Sequence, residues 1–219
     1  RCEIYVTQNR VVGGAQQGYH SIVAREGTGI ETIADLKGKI LASQKEGSTA
    51  DAVLRGVTLK AAGLAPSDVN IMGTSPAVAV QSLVSGRTDA AFLFEPYDRI
   101  AQLVAPVKQI YEIGEVWPFP CMVVITAGET LEKRKQAVWQ SLDAQRDAIE
   151  LLENQPAEAA KLIADYFIAE PTLKTLNRGE LPREVVIEEA IATQTFGAKL
   201  GTDDLARIQE LADILQELG

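Results

Sequence analysis

The chain has 219 residues, 46% of them hydrophobic and 5% aromatic, with a formal net charge of -9 and a single histidine. That length and apolar content allow a substantial buried core, as one large domain or two small ones. The acidic balance, with no Lys/Arg cluster, argues against nucleic acid as a partner, because a phosphate backbone requires a basic face; one His and two Cys make a metal or other cofactor unexpected.

Arg1-Cys2-Glu3 opens directly in strand-like sequence with no leader ahead of it, so either a leader has been removed or the chain starts inside a longer protein. Ile4 to Thr7 and Ser21 to Ala24 read as short strands. Between them lies Val11-Val12-Gly-Gly-Ala-Gln-Gln-Gly18, a glycine-rich connection expected to lack regular structure. Glu31 to Gly38 reads as a short helical turn closed by its glycine. Lys39 to Ser43 then forms a strand, after which Ala50, Val53, Leu54, Val57 and Ala61 repeat with the spacing of a helix face. The period switches at Gly47. Ser48 or Thr49 caps the helix, Gly63 stands where it ends, and Pro66 prevents its resumption. Such a turn presents free backbone N–H groups and the positive end of a helix dipole, a place for an anion; the residues alone equally fit an ordinary capped turn that binds nothing.

The unit repeats. Val69 to Met72 is a strand, Ser75 and Pro76 open a helix that ends at Gly86, and Asp89 to Phe94 is a continuous apolar strand of the kind buried on both faces. Glu95-Pro96 opens a third helix through Val104, and Val107 to Tyr111 is a further strand. This βαβαβαβ order predicts an α/β lobe with a parallel-type sheet. From Val116 the character changes. Trp117-Pro-Phe-Pro120 is a rigid aromatic connector, Met122 to Ile125 one more strand, and the remainder helical. Leu131, Val138, Leu142, Ile149 and Leu152 mark one long helix, and Ala159, Leu162, Ile163 and Tyr166 the next. Glu184 to Lys199 and a final helix capped at Thr202 follow. No apolar run, Cys121 to Ile125 included, approaches the roughly 20 residues that span a bilayer. These helices have little sheet to cover, so the missing strands are expected upstream of Arg1, in on the order of 60 to 100 residues. Val138, Leu142, Leu162 and Leu211 are then expected to be incompletely covered. Cys2 and Cys121 each fall at an expected strand, but a bridge requires Cα atoms within about 7 Å, which the sequence does not fix.

The order of motifs resembles the substrate-binding proteins of ABC importers in the nitrate, taurine, aliphatic-sulfonate and thiamine-precursor group. The resemblance is carried by Ile33-Ala-Asp-Leu-Lys-Gly-Lys-Ile40, Glu46-Gly-Ser-Thr-Ala50, Ala62-Gly-Leu-Ala-Pro-Ser-Asp-Val69, Ser75-Pro-Ala-Val-Ala79, and Ser85-Gly-Arg-Thr-Asp-Ala-Ala91 followed by Glu95-Pro-Tyr97. It implies the type II periplasmic-binding-protein fold, with a ligand held between two α/β lobes joined by two strands. Residues 26–115 would form one complete lobe. Residues 1–25 and 116–219 would form the hinge strands and an incomplete, helix-rich second lobe, so about half of the cleft contacts stay undefined. It also implies a small-molecule ligand, a membrane permease as partner, no cofactor, and a periplasmic or extracellular location, with lipid anchoring of the full-length protein left open.

Under the same resemblance, Gly47, Ser48 and Thr49 match the loop that holds an anionic head such as a sulfonate or nitrate, with the N–H groups of Ser48 and Thr49 aimed at it and Lys45 and Glu46 turned to solvent. Glu95 has two readings: acceptor for a ligand amino group, or neighbour of a helix that begins at Pro96. Tyr97, Trp117 and Phe119 either line the cleft or pack in a core, and His20 reads as a hydrogen-bonding residue of the hinge region. Three classes of function remain. A binding module needs a cleft and no catalytic constellation. An enzyme on the same architecture, of the pyrimidine-synthesis or desulfurisation type, requires a nucleophile with a base in reach, which a lone His20 and Cys121 support little. A ligand-sensing regulatory domain requires a fused output module. The first is the expectation; no catalytic or metal-binding residue is assigned.

Overall fold

A computed structural model describes residues 2–12, 15–17, 20–119, 122–197 and 201–218. The chain opens with β1 (Cys2–Val12) and β2 (Ala15–Gln17), which pair antiparallel with Val12 opposite Ala15. The glycine-rich connection expected to be irregular is therefore occupied in part by two paired strands. The Gly13-Gly14 dipeptide between β-prone runs is itself a hairpin signal. Next come β3 (His20–Arg25), β4 (Ile40–Ser43), α1 (Thr49–Val53, widening to a π-helix over Leu54–Leu59), β5 (Asn70–Gly73), α2 (Pro76–Val84), β6 (Ala90–Phe94), α3 (Tyr97–Val104) and β7 (Val107–Glu112). The short α4 (Ile113–Val116) leads to β8 (Met122–Ala127).

The strands β3 to β7 form one sheet in the order β5-β4-β6-β3-β7. The strands near Ile40, Ile71, Ala91 and Val107 thus share a sheet, as expected. β4 runs parallel to β5 and β6, the product of successive βαβ crossovers. The sheet is not wholly parallel. β3, which the sequence places with the hinge strands, lies between β6 and β7 and pairs antiparallel with both. Its alternation divides the core: Ile22 and Ala24 face a cluster with Leu41, Phe92 and Val53, while Val23 faces the opposite cluster with Ala42, Leu93 and Ile100.

The C-terminal part supplies α5 (Gly128–Lys133), α6 (Lys135–Asn154), α7 (Pro156–Phe167), β9 (Thr172–Lys174), β10 (Glu180–Pro182), α8 (Arg183–Ala192), β11 (Gln194–Thr195) and α9 (Thr202–Leu218). The long helix expected from Leu131 to Leu152 breaks at Arg134, and α8 stops at Ala192 rather than Lys199. A second sheet joins β11, β1 and β2, with β8 also on β1. Helices α7 and α8 bury Ala160, Ala164, Val186 and Ile187 in the cluster on the α2–α3 side of the five-stranded sheet. α9 lies on α1, where Leu211 and Ile214 pack against the other cluster. Of the faces expected to lack cover, Leu211 is thus packed, Val138 and Leu142 line a crevice with Val124 and Ile125, and Leu162 is 64% exposed beside Tyr166 at 82%. Cys121 lies outside the described residues, as do Gly18 and Pro120. Among the described residues no helix is long and apolar enough to cross a membrane.

Candidate functional site

A cavity of about 660 Å³ opens where β4 and β6 end, against α7 and α8. The β4 end is shaped by its turn. Gly47 has φ +77°, a left-handed conformation that side chains disfavour, and this lets Ser48 fall into the cap position. Ser48 Oγ accepts from the Asp51 N–H at 3.2 Å, while the Asp51 carboxylate accepts from the Gly47 N–H at 3.1 Å and from Arg55 Nε at 2.6 Å. This reciprocal cap satisfies part of the first turn. The Ser48 N–H is also used, donating to Lys45 O at 3.1 Å, so it is not directed to a ligand as the sequence suggested. Thr49 and Ala50, the first helical residues and both cavity-lining, hold the N–H positions that a helix leaves without internal acceptors. Lys45 and Glu46 face solvent, as expected.

The β6 end contributes Phe94, Glu95 and Pro96 to the same cavity. Glu95 is only 4% exposed. Its Oε2 accepts from the Arg99 N–H at 3.3 Å and its Oε1 from the Thr193 hydroxyl at 3.2 Å. From the start of β3, His20 forms another part of the wall, 2% exposed, stacked on Phe92 at 5.0 Å and Phe119 at 6.0 Å. Burial lowers its pKa to about 3, so the imidazole is neutral. The facing wall is apolar: Ile163 and Phe167 from α7, Ile187 and Ile191 from α8, and Phe196 beyond β11, with Gln44 and Gln194 adding two amides.

The structure therefore gathers Ser48, Thr49 and Glu95 at one cavity. Gly47 shapes the turn without lining the cavity. Tyr97 sits behind the wall, its ring edge-on to Phe94 at 5.6 Å and Phe167 at 6.1 Å, and Phe119 is buried beneath His20. Trp117 packs in the core, its Nε1 donating to Glu210 Oε2 at 2.7 Å with the Arg207 guanidinium 5.7 Å from its ring. His20 at the wall, Thr193 and the whole α7–α8 face escaped the sequence reading. Gln44 alone carried a signal, following directly on a strand end. Among the described residues no cluster of His, Cys, Asp and Glu is built to hold a metal ion. Neutral donors, one carboxylate and apolar walls suit a small organic molecule with polar ends.

Residues 9–159 match the family model described as NMT1/THI5 like. The chain belongs to that family. A putative aliphatic sulfonates-binding protein of Escherichia coli (strain K12) is 36% identical over 87 residues, which are 40% of this chain and 27% of that protein. The alkanesulfonate-binding protein SsuA from Xanthomonas axonopodis pv. citri, solved bound to MOPS, superposes with a TM-score of 0.71 at 21% identity, covering 98% of this chain and 68% of that one. The desulfurization enzyme DSZB gives a TM-score of 0.57 at 14% identity over 98% of this chain and 72% of its own. At such identities the two superpositions speak for the fold, which is the type II periplasmic-binding α/β fold expected from the sequence.

Proposed function

We propose that the chain is the solute-binding component of an ABC importer and holds a small anionic or zwitterionic solute in this cavity. The observation that carries the reading is the convergence of two strand ends: β4 brings Ser48 and Thr49, β6 brings Glu95, and both meet one mostly apolar cavity, as ligand sites of open α/β sheets do. Size ranks the candidate solutes. A cavity of about 660 Å³ lies within the range of small-molecule sites, and a bare nitrate would leave most of its apolar wall unmatched. A sulfonate with an organic body, taurine, or an amino-bearing pyrimidine precursor fits better. The anionic head belongs at Thr49 and Ala50, where neutral donors and the helix dipole contribute on the order of 1 kcal/mol each; an amino group belongs at Glu95.

In this reading residues 26–115 form one lobe and residues 1–25 and 116–219 the other, with β3 as a hinge strand that ends in the five-stranded sheet. The partner is a membrane permease, and the location is periplasmic or extracellular. Calorimetry on the full-length protein with taurine, alkanesulfonates, nitrate and aminopyrimidines tests it: saturable binding of one class supports the reading, and no binding of any removes it. The likeness to a desulfurization enzyme supports a second reading, catalysis. Mass spectrometry of recovered ligand separates the two, since a binding protein returns the ligand unchanged.

A further inference from the structure

Helices α3 and α8 meet through two rungs one helical turn apart. Glu95 and Arg99 stand four residues apart, just before and within the first turn of α3, and Glu189 and Thr193 four apart, within and just after the last turn of α8. The outer rung is ionic: Arg99 Nε donates to Glu189 Oε2 at 3.0 Å, Arg99 Nη2 adds a second contact, and Arg178 grips both Glu189 oxygens at 2.9 and 2.8 Å. The inner rung is the Thr193 hydroxyl on Glu95 Oε1 at 3.2 Å, at the cavity. The outer rung, with two Arg99 nitrogens on one Glu189 oxygen, ties α3 to α8 while Arg178 holds the carboxylate in place, and that register sets Thr193 against Glu95.

We propose that Thr193 is a specificity-determining positioning residue, which holds the Glu95 carboxylate so that the cavity prefers solutes carrying an amino group over their amine-free counterparts. The inference rests on the cavity being the solute site. A hydroxyl has one proton, and here two acceptors compete for it: Glu95 Oε1 at 3.2 Å and Ala190 O at 2.8 Å. The same oxygen accepts from Gln194 Nε2 at 3.0 Å, and Gln194 also lines the cavity. The hydroxyl therefore steadies Glu95 before a solute arrives. A carboxylate oxygen accepts more than one hydrogen bond, so a solute N–H can reach Oε1 while the hydroxyl stays and keeps the carboxylate aimed at the cavity. A valine at this position cannot hold it.

Two probe pairs differ only in the amino group: taurine against ethanesulfonate, and 4-amino-2-methylpyrimidine against 2-methylpyrimidine. Calorimetry on the full-length protein measures each. In Thr193→Val the preference for the amine-bearing member is expected to fall about tenfold, the worth of one hydrogen bond to a charged group, with the amine-free member unchanged. Thr193→Ser is expected to restore the preference, and Thr193→Ala, free of the β-branch, to reproduce the loss. An unchanged preference in Thr193→Val and Thr193→Ala, or equal loss for both members of a pair, overturns the role given to Thr193 while leaving the cavity as the site. Wild-type protein that binds neither pair overturns the reading of the cavity, and this inference with it.

Discussion

A carboxylate set into a mostly apolar cavity needs donors, because burying a charge without partners costs several kcal/mol. Glu95 has the Arg99 N–H and the Thr193 hydroxyl, and a solute amino group would add to them. Replacing Glu95 by glutamine should therefore weaken amine-bearing solutes at least tenfold and leave amine-free sulfonates unaffected; equal loss for both in titration calorimetry would remove the role. Ser48 carries two burdens that the same kind of measurement separates. Its Oγ caps α1, so Ser48→Ala should cost about 1 kcal/mol of stability in denaturant unfolding, whereas Ser48→Ala with Thr49→Ala should in addition weaken an anionic solute; unchanged affinity in the double variant would take this loop out of the site. His20 gives a pH signature. Its folded-state pKa is lowered to about 3 by burial, from an ordinary 6.5, so the unfolded chain binds a proton that the folded chain refuses. Stability from neutral burial is full above pH 6.5 and is lost as pH falls towards 3, at up to about 1.4 kcal/mol per pH unit. A His20→Phe variant should show a flatter stability profile between those pH values, and an unaltered slope would mean that His20 is protonated in the folded protein.

Elements differ in how openly the sequence announces them. The β4–α1 turn was legible because its signals are local: a glycine at φ +77°, a serine whose oxygen caps the third helical N–H, and an apolar helix face. β3 was not, because the pairing of His20–Arg25 with β6 and β7 reaches residues about 70 to 90 positions away, and a short apolar run does not say which partners it will find. The π-widening after Val53 leaves the apolar spacing unchanged and hence leaves no mark. Two elements carry their own tests. The Glu189 carboxyl, gripped by Arg178 and Arg99, is held down to about 2 from an ordinary 4.5, so its stabilisation is present above pH 4.5 and is lost as pH falls through about 2. Partial exposure limits this to about 1 kcal/mol, and the difference between wild type and Glu189→Gln in thermal unfolding should be seen at pH 7 and vanish near pH 2. α9 approaches α1 so closely that a Cβ on Gly56 would lie 2.4 Å from Ile214 Cγ2. A Gly→Ala change in a helix gains about 1 kcal/mol, but Ile214 is β-branched and stiff, and overpacking costs about 1–3 kcal/mol. Gly56→Ala should then lower Tm by a few degrees, less so in an Ile214→Ala background; equal cost in both backgrounds would mean that the two helices part freely.

At the scale of the whole molecule, the site is assembled from segments that are remote in sequence. Gln44 to Ala50 and Phe94 to Pro96 come from the five-stranded sheet, His20 from the strand that runs into it, and Ile163, Phe167, Ile187 and Ile191 from helices that follow β8. Only the first two segments were visible beforehand, since a βα turn carries its own signature whereas an apolar helix face does not reveal what it will cover. The consequence for behaviour is cooperative. A solute that touches both the strand ends and the helical wall should tie α7 and α8 to the sheet, and a binding partner of the folded state raises its stability by about 2.7 kcal/mol at a hundredfold excess over Kd. Hydrogen exchange read by mass spectrometry, with and without the solute identified by calorimetry, should accordingly show added protection both at the first turn of α1 and in α7 and α8. Binding anywhere raises global stability, so protection of both segments beyond the gain of the core strands is what marks a solute that touches both. Protection confined to the strand-end loops would place the solute on the rim of the cavity and leave the α7–α8 face without the role of a wall. Protection of both, reduced at α8 in Thr193→Val while the α1 turn is unaffected, would instead show that the inner rung between α3 and α8 is the contact through which the helical wall follows the solute.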